Sequence, residues 1–312
     1  MIRDVRRADT PHLFALIDQQ FPEESALLGK RPDEFEKIVR RVFRWDTRLV
    51  VGLVRLFGRP IFRFLVVEAD GRPVAMTLVS FPRGAVYVSS VVVDPAHRRR
   101  GYAKGMLEEA RRTAKRAGRK YVALDVLETN TPARSLYESV GFRALRARGQ
   151  FVHESPAQLG AGLVGNPAVR PFRRGDASAL VELLRQQTPP AVEEVLPSHA
   201  GLFLSSGIAN RILGSEEAAW VVDRGHGPEA HVAASVSAAT EAAYMTAPVL
   251  GDSVDADLSR ALLRVAGAWS AARKVPRVLC MVADDNVRGR AALEAGGFRR
   301  AFALWTLYRN VD

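Results

Sequence analysis

The sequence predicts an α/β protein made of two tandem units, each a mixed, mostly antiparallel sheet flanked by helices. Three observations predict it. "IRDVRRADTPHLFALIDQQ" at 2–20 matches "VRPFRRGDASALVELLRQQ" at 169–187 with a constant offset of 167. "ETNTPARSLYESVGFRA" at 128–144 matches "ADDNVRGRAALEAGGFRRA" at 283–301 with an offset of 156, so the second unit is 11 residues shorter in between. Within each unit, short β-branched runs alternate with stretches of helical period. The boundaries follow as a first domain over 1–154, a Gly-, Pro- and Ala-rich linker over 155–167 and a second domain over 168–312.

In the first unit an initial strand precedes helices at about 9–20 and 32–46. Strands follow at about 61–68 and 73–81, joined by "ADGRP", a Gly-centred hairpin turn. "AVYVSSVVVDP" at 85–95 is a β-branched strand, and "GYAKGMLEEARRTAKRAGRK" at 101–120 carries apolar and small residues on a helical period. "YVALDVLE" at 121–128 reads as a strand, and a helix at about 131–140 leads into the last strands.

Composition narrows the function classes. The chain has 312 residues, enough for two ordinary cores, and a net charge of +11, which implies affinity for something anionic. Zinc-finger spacing, an aromatic RNA-binding signature and a basic recognition helix are all missing, so no specific nucleic-acid partner is expected. The single Cys280 permits no internal disulfide and suits a reducing cytoplasm. It reads as a small buried strand residue. Charge in "MIRDVRRADT" leaves no apolar core for a secretory signal, so a cytoplasmic location is expected. The most apolar stretch, 49–67, is broken by Arg55, Arg59 and Arg63, whereas a spanning helix needs about 20 largely uncharged residues; no membrane span is expected. The six histidines show no paired ligand spacing, and no metal site is expected. Nothing in the sequence specifies an oligomeric state.

"HRRRGYAKGM" at 97–106 concentrates charge where the valine strand becomes a helix. A helix start presents unpaired N–H groups and the positive end of the dipole, so it attracts phosphate. Gly101, followed by Tyr102, small Ala103 and Lys104, lets backbone approach an anion closely. Arg98, Arg99 and Arg100 add charge-assisted hydrogen bonds to phosphate oxygens. The combination reads as a pyrophosphate seat; alone, the run reads equally well as a solvated face.

The order strand, Arg98-x-x-Gly101-x-Ala103, helix, strand, Asn130-x-x-Ala133-x-x-Leu136-Tyr137, then Gly141-Phe142 resembles the GNAT superfamily of acetyl-coenzyme A-dependent N-acetyltransferases. The resemblance is strongest over about 86–145 and extends more weakly over the first half. It implies acetyl-CoA as acyl donor, with residues 98–104 on its pyrophosphate. It implies that the main chain at Val91 and Val93 pairs with the pantetheine and that Tyr137 is the general acid that protonates the leaving thiolate. Asn130 either holds the pantetheine or caps the helix it precedes. "LDVLETN" at 124–130 is similar to a segment of the ribosomal-protein-alanine acetyltransferases, which places Asp125 where those enzymes have a catalytic Glu. Asp125 is then either the base, directly or through water, or a structural strand-end carboxylate. Leu127 stands where those relatives have Arg, a departure that bears on peptide N-terminal specificity. Glu23 and Glu24, in the loop where family members shape the acceptor pocket, either attract a cationic amine or form a solvated acidic loop.

An ungapped 156 offset sets Val254, Asp255, Ala256 and Asp257 against Arg98 to Gly101, Leu293 against Tyr137, and Met281 against Asp125. Two aspartates would repel a pyrophosphate. The second unit is therefore expected to be a degenerate GNAT repeat, a packing partner or one wall of the acceptor pocket. The function expected is acetyl transfer to a primary amine of a small molecule or peptide, catalysed by the first unit. The alternatives are a noncatalytic acyl-CoA sensor and a basic protein that binds nucleic acid or an anionic surface.

Overall fold

The structure, a computed structural model, describes residues 1–9, 11–13, 16, 62–163, 165–204, 214–237 and 241–312. The helix expected at 32–46, most of that at 9–20, and Glu23 and Glu24 lie outside the described residues. In the first half, β1 (Ile2–Asp4), β2 (Phe62–Ala69), β3 (Arg72–Ser80) and β4 (Ala85–Val93) precede helix α1 (Tyr102–Arg116). Strand β5 (Tyr121–Leu127), helix α2 (Thr131–Ser139) and strand β6 (Arg143–His153) complete it. A short helix α3 (Pro156–Leu159) falls within the segment read as linker. The second half runs β7 (Val169–Pro171), α4 (Ala177–Gln187), α5 (Pro190–Val195), β8 (Ser215–Asp223), β9 (Pro228–Ser237), β10 (Ala242–Met245) and β11 (Val249–Leu250). It closes with α6 (Ala256–Ala271), β12 (Arg277–Ala283), α7 (Val287–Ala295) and β13 (Arg299–Asn310).

Local chemistry explains these boundaries. Asp70 (φ 52°) and Gly71 (φ 74°) both take positive φ, which makes the β2–β3 hairpin a tight type I′ turn. Helix α1 buries Met106, Leu107, Ala110, Thr113 and Ala114, three and four residues apart, against the sheet. It ends at Gly118 (φ 64°), after which Arg119 N–H returns to the Ala114 carbonyl at 2.9 Å. The repeat is visible in ion pairs as well as elements. Arg3 grips Asp9 through both terminal nitrogens (2.7 and 2.9 Å) and reaches Glu68; Arg170 grips Asp176 (2.8 and 2.8 Å) and reaches Asp223. In each half this bidentate pair ties the first strand to the turn behind it and to a neighbouring strand, and it holds the aspartate below its usual pKa.

The sequence predicts two sheets; the strands form one. Their order is β1-β2-β3-β4-β5-β13-β6-β12-β10-β9-β8-β7, with β11 beside β9. Each half's last strand lies against the other half: β13 pairs antiparallel with β5, and β6 pairs antiparallel with β12. The two exchanged strands also pair with each other, Arg299 opposite Val152 and Tyr308 opposite Arg143. The 156 offset converts one of those pairs into the other, so a pseudo-twofold axis passes between β13 and β6. Leu307 (1% exposed), on β13, belongs to the first half's core with Leu107 and Val122, and Phe151 (1%), on β6, belongs to the second half's core with Leu262 and Val278. Fully burying one such side chain contributes about 1.5–3 kcal/mol, so each core is completed by the other half's chain.

Candidate active site

The turn after β4 is assembled locally. The Asp94 carboxylate accepts from the Ala96 N–H (2.9 Å) and starts the turn Pro95–His97, whose buried imidazole stands 3.5 Å from Asp94 and 3.9 Å from Asp70. Arg98, Arg99 and Arg100 are exposed. Arg99 takes φ 61°, a left-handed backbone that costs a non-glycine residue about 1–2 kcal/mol. Gly101 (φ 80°) is the N-cap of α1 rather than its first residue, which corrects the sequence reading by one position. It brings no side chain to the cap, and the first helical bond runs from Gly105 N–H to the Gly101 carbonyl at 2.9 Å. The N–H groups of Tyr102, Ala103 and Lys104 thus have no helical partner, beside three guanidinium groups.

Strand β4 opens away from β5 next to this turn. The parallel ladder stops at Val88 opposite Leu124, so residues 89–93 of β4 and 125–127 of β5 continue unpaired with each other. The cause lies on the other side of β4. Between Met76 and Leu78 the partners jump from Val92 to Ser89, an extra residue in β4, and Ser90 there has φ 54°. Fully buried Thr77 donates its hydroxyl to the Ser89 carbonyl at 3.0 Å, which satisfies the bulge. Val91 and Val93 lie in the diverging arm, half-buried against the core.

Asn130 caps α2: its side-chain oxygen accepts from Ala133 N–H at 3.2 Å. One turn on, Tyr137 is buried (7% exposed) in the first-half core, its ring 6.1 Å from that of Phe142. Asp125 does not face that core. On the opposite sheet face its carboxylate accepts from the Thr306 hydroxyl (2.8 Å) and from Arg148, which also lies 3.5 Å from the Tyr87 hydroxyl. Burial raises the Tyr87 pKa. The guanidinium and the hydroxyl fix the Asp125 carboxylate in place. Sequence reasoning missed Thr306 and Arg148. Thr306 is 181 residues away in the chain and Arg148 sits on an exchanged strand. The available signal was the run of arginines inside "RALRARGQFVH", where a mid-strand charge requires a partner.

The corresponding helix start in the second half is built differently. There the Asp255 carboxylate is the N-cap of α6 and accepts from the Leu258 N–H at 2.8 Å. Gly101 and Asp255 therefore share the cap position, one carrying the cap in its side chain and the other not. This corrects the ungapped alignment, which set Asp255 against Arg99. The loop before the cap spans only 251–254, against 94–100 in the first half. Asn286 caps α7 as Asn130 caps α2, through Gly289 N–H at 2.9 Å, and fully buried Leu293 replaces Tyr137. Among the described residues no three His, Cys, Asp or Glu side chains gather as metal ligands, and no helix is long and apolar enough to cross a membrane. Cys280 is buried on β12, and burial raises its thiol pKa.

Residues 19–142 match the model of the acetyltransferase (GNAT) family. No curated protein matches the sequence. Among solved structures, a tandem GNAT protein from the clavulanic acid biosynthesis pathway superposes with a TM-score of 0.65 at 17% identity, covering 100% of this chain and 98% of that one. A GCN5-related N-acetyltransferase from Sphaerobacter thermophilus gives 0.65 at 17% identity, covering 100% and 95%. One from Kribbella flavida gives 0.53 at 16% identity, covering 99% and 70%. The whole chain thus has the fold of tandem GNAT proteins, and its segment 19–142, which holds the open helix start and the diverging strands, matches the GNAT acetyltransferase family model.

Proposed function

We propose that residues 1–154 form the catalytic unit of an acetyl-CoA-dependent N-acetyltransferase acting on a primary amine of a small molecule or peptide. Residues 168–312, joined through 155–167, form a non-catalytic unit. The contrast between the two helix starts carries this reading: Gly101 leaves its N–H groups open beside three arginines, while Asp255 fills its own. Arg98, Arg99, Arg100 and the main chain from Gly101 to Lys104 hold the pyrophosphate. The main chain of Val91 and Val93, freed from β5 by the bulge, pairs with the pantetheine. Asn130 spends its oxygen on the helix cap and has its amide N–H groups to offer the same chain.

The amine forms the N–C bond to the acetyl carbonyl carbon as the C–S bond breaks. Tyr137 gives its phenolic proton to the departing sulfur. Asp125, fixed by Arg148 and Thr306, attracts the acceptor's ammonium form and takes its proton through water.

Calorimetric titration of acetyl-CoA tests the reading. The wild type and Asp255→Gly bind at one site with the same affinity. Arg99→Glu combined with Gly101→Asp weakens binding at least a hundredfold. Tyr137→Phe keeps the affinity and loses roughly 10²-fold in kcat, the usual contribution of a general acid. Binding untouched by the double variant overturns the assignment of the seat; binding without turnover on any amine makes the protein a sensor.

A further inference from the structure

The second half retains a cavity of about 290 Å³ where the first half has its reaction site: Met281 and Asn286, counterparts of Asp125 and Asn130, line it. That volume is at the small end for ligand sites, which run from roughly 300 to 1,000 Å³. Its walls come from both halves. Arg146 and Arg148 enter from exchanged β6, while Phe203, His231, Ala247 and Met281 are among the second half's contributions.

Most polar groups in the wall are already engaged. Gln187 donates to the Leu250 carbonyl, Thr188 to the Leu184 carbonyl, Thr246 bonds the Ala233 main chain, and Asn286 caps α7. Three buried nitrogens of wall residues are exceptions: Arg146 Nε, Arg148 Nε and His231 Nε2 have no hydrogen-bond partner. His231 is 2% exposed, and the rings of Phe172 and Phe203 meet it edge-on at 5.6 and 4.9 Å. A buried polar group without a partner costs stability, and its persistence at a cavity wall points to a ligand that supplies one. Charge sets the ligand's sign. Arg146 is paired with Asp285, also in the wall, but the partner of Arg148 is Asp125, which is not. Each guanidinium still has a buried Nε–H without an acceptor, which favours an anionic ligand that accepts hydrogen bonds. The self-capped start of α6 removes the diphosphate seat, so the ligand is not a nucleotide-tailed coenzyme.

We propose that this cavity binds a small monocarboxylate with an apolar body, whose carboxylate takes Arg148 in place of Asp125. Binding thereby releases the first half's carboxylate from its guanidinium. The binding site itself is independent of acetyl transfer; only the effect of released Asp125 on the reaction rests on the function proposed above.

The full chain is titrated with 3-phenylpropionate and with its amide, by calorimetry and ligand-observed NMR, without acetyl-CoA. The carboxylate binds at one site, and the amide binds at least tenfold more weakly. Arg148→Met and the cavity-filling Ala247→Trp each weaken the carboxylate at least tenfold. Asp125→Asn strengthens it severalfold, because Arg148 no longer has an internal carboxylate. Equal binding of acid and amide, a weaker complex with Asp125→Asn, or no saturable binding to either the wild type or Asp125→Asn overturns the proposal. Arg99→Glu with Gly101→Asp leaves this titration unchanged while it abolishes acetyl-CoA binding, so the two readings fail separately.

Discussion

Among single residues, Gly101 and Asp255 occupy the same cap with opposite consequences, because a carboxylate that satisfies its own helix has already used the groups an external anion would need. Gly101, the three arginines, Asn130 and Tyr137 were legible in the sequence as candidates, since the chemistry depends on neighbours in the chain, whereas the ungapped repeat set Asp255 against Arg99. Arg148 was not legible. Its relation to Asp125 and to the cavity exists only once β6 has crossed between the halves. His231 is also a product of tertiary packing, and burial pushes its pKa down to about 4 from an unfolded value near 6.5. Between those values the unfolded chain binds the extra proton. The contribution is therefore fully present above about pH 6.5, falls as pH drops toward 4, and amounts to at most about 3 kcal/mol. Urea titrations at pH 7.5 and 4.5 measure this: the wild type loses stability between them, and His231→Phe loses less.

At the scale of elements, β13 shows how one strand serves two purposes. Leu307 faces α1 and fills the first half's core, while its neighbour Thr306 faces the other way and holds Asp125. The partner strand of "RRAFALWTLYRN" was not readable, because hydrophobic period specifies faces and says nothing of which edge a strand joins. Thr306→Val, nearly isosteric, removes the hydroxyl at a site 1% exposed and costs roughly 1–2 kcal/mol of stability. Steady-state kinetics on this variant show a lower kcat with the KM for acetyl-CoA unchanged, since the strand touches the carboxylate and not the pyrophosphate seat. The bulge in β4 is a second device of this scale. Its consequence, the gap between β4 and β5, depends on one extra residue around Ser90, which the pattern of "AVYVSSVVV" does not reveal.

For the whole molecule, strand exchange makes the halves inseparable. Removing 155–312 deletes β13, leaving the edge of β5 bare and Leu124 and Val126 without a core partner on β13. Residues 1–154 expressed alone therefore aggregate, and co-expression with 155–312 restores a one-to-one complex, as size-exclusion chromatography with light scattering reads directly. By itself the sequence determined the class of the described first-half elements from β2 to α2, the two-fold repetition, and the candidate site from Arg98 to Tyr137, because capping, periodicity and anion binding at a helix start are local properties of the chain. Only the tertiary structure decided that the two sheets are one, that Asp125 is held by Thr306 and Arg148, and that a cavity spans both halves. The physical reason is that an open strand edge accepts any strand of matching pattern, and in this chain the two last strands hold equivalent places in the repeat; which one docks on which edge is settled by the packing of the complete molecule.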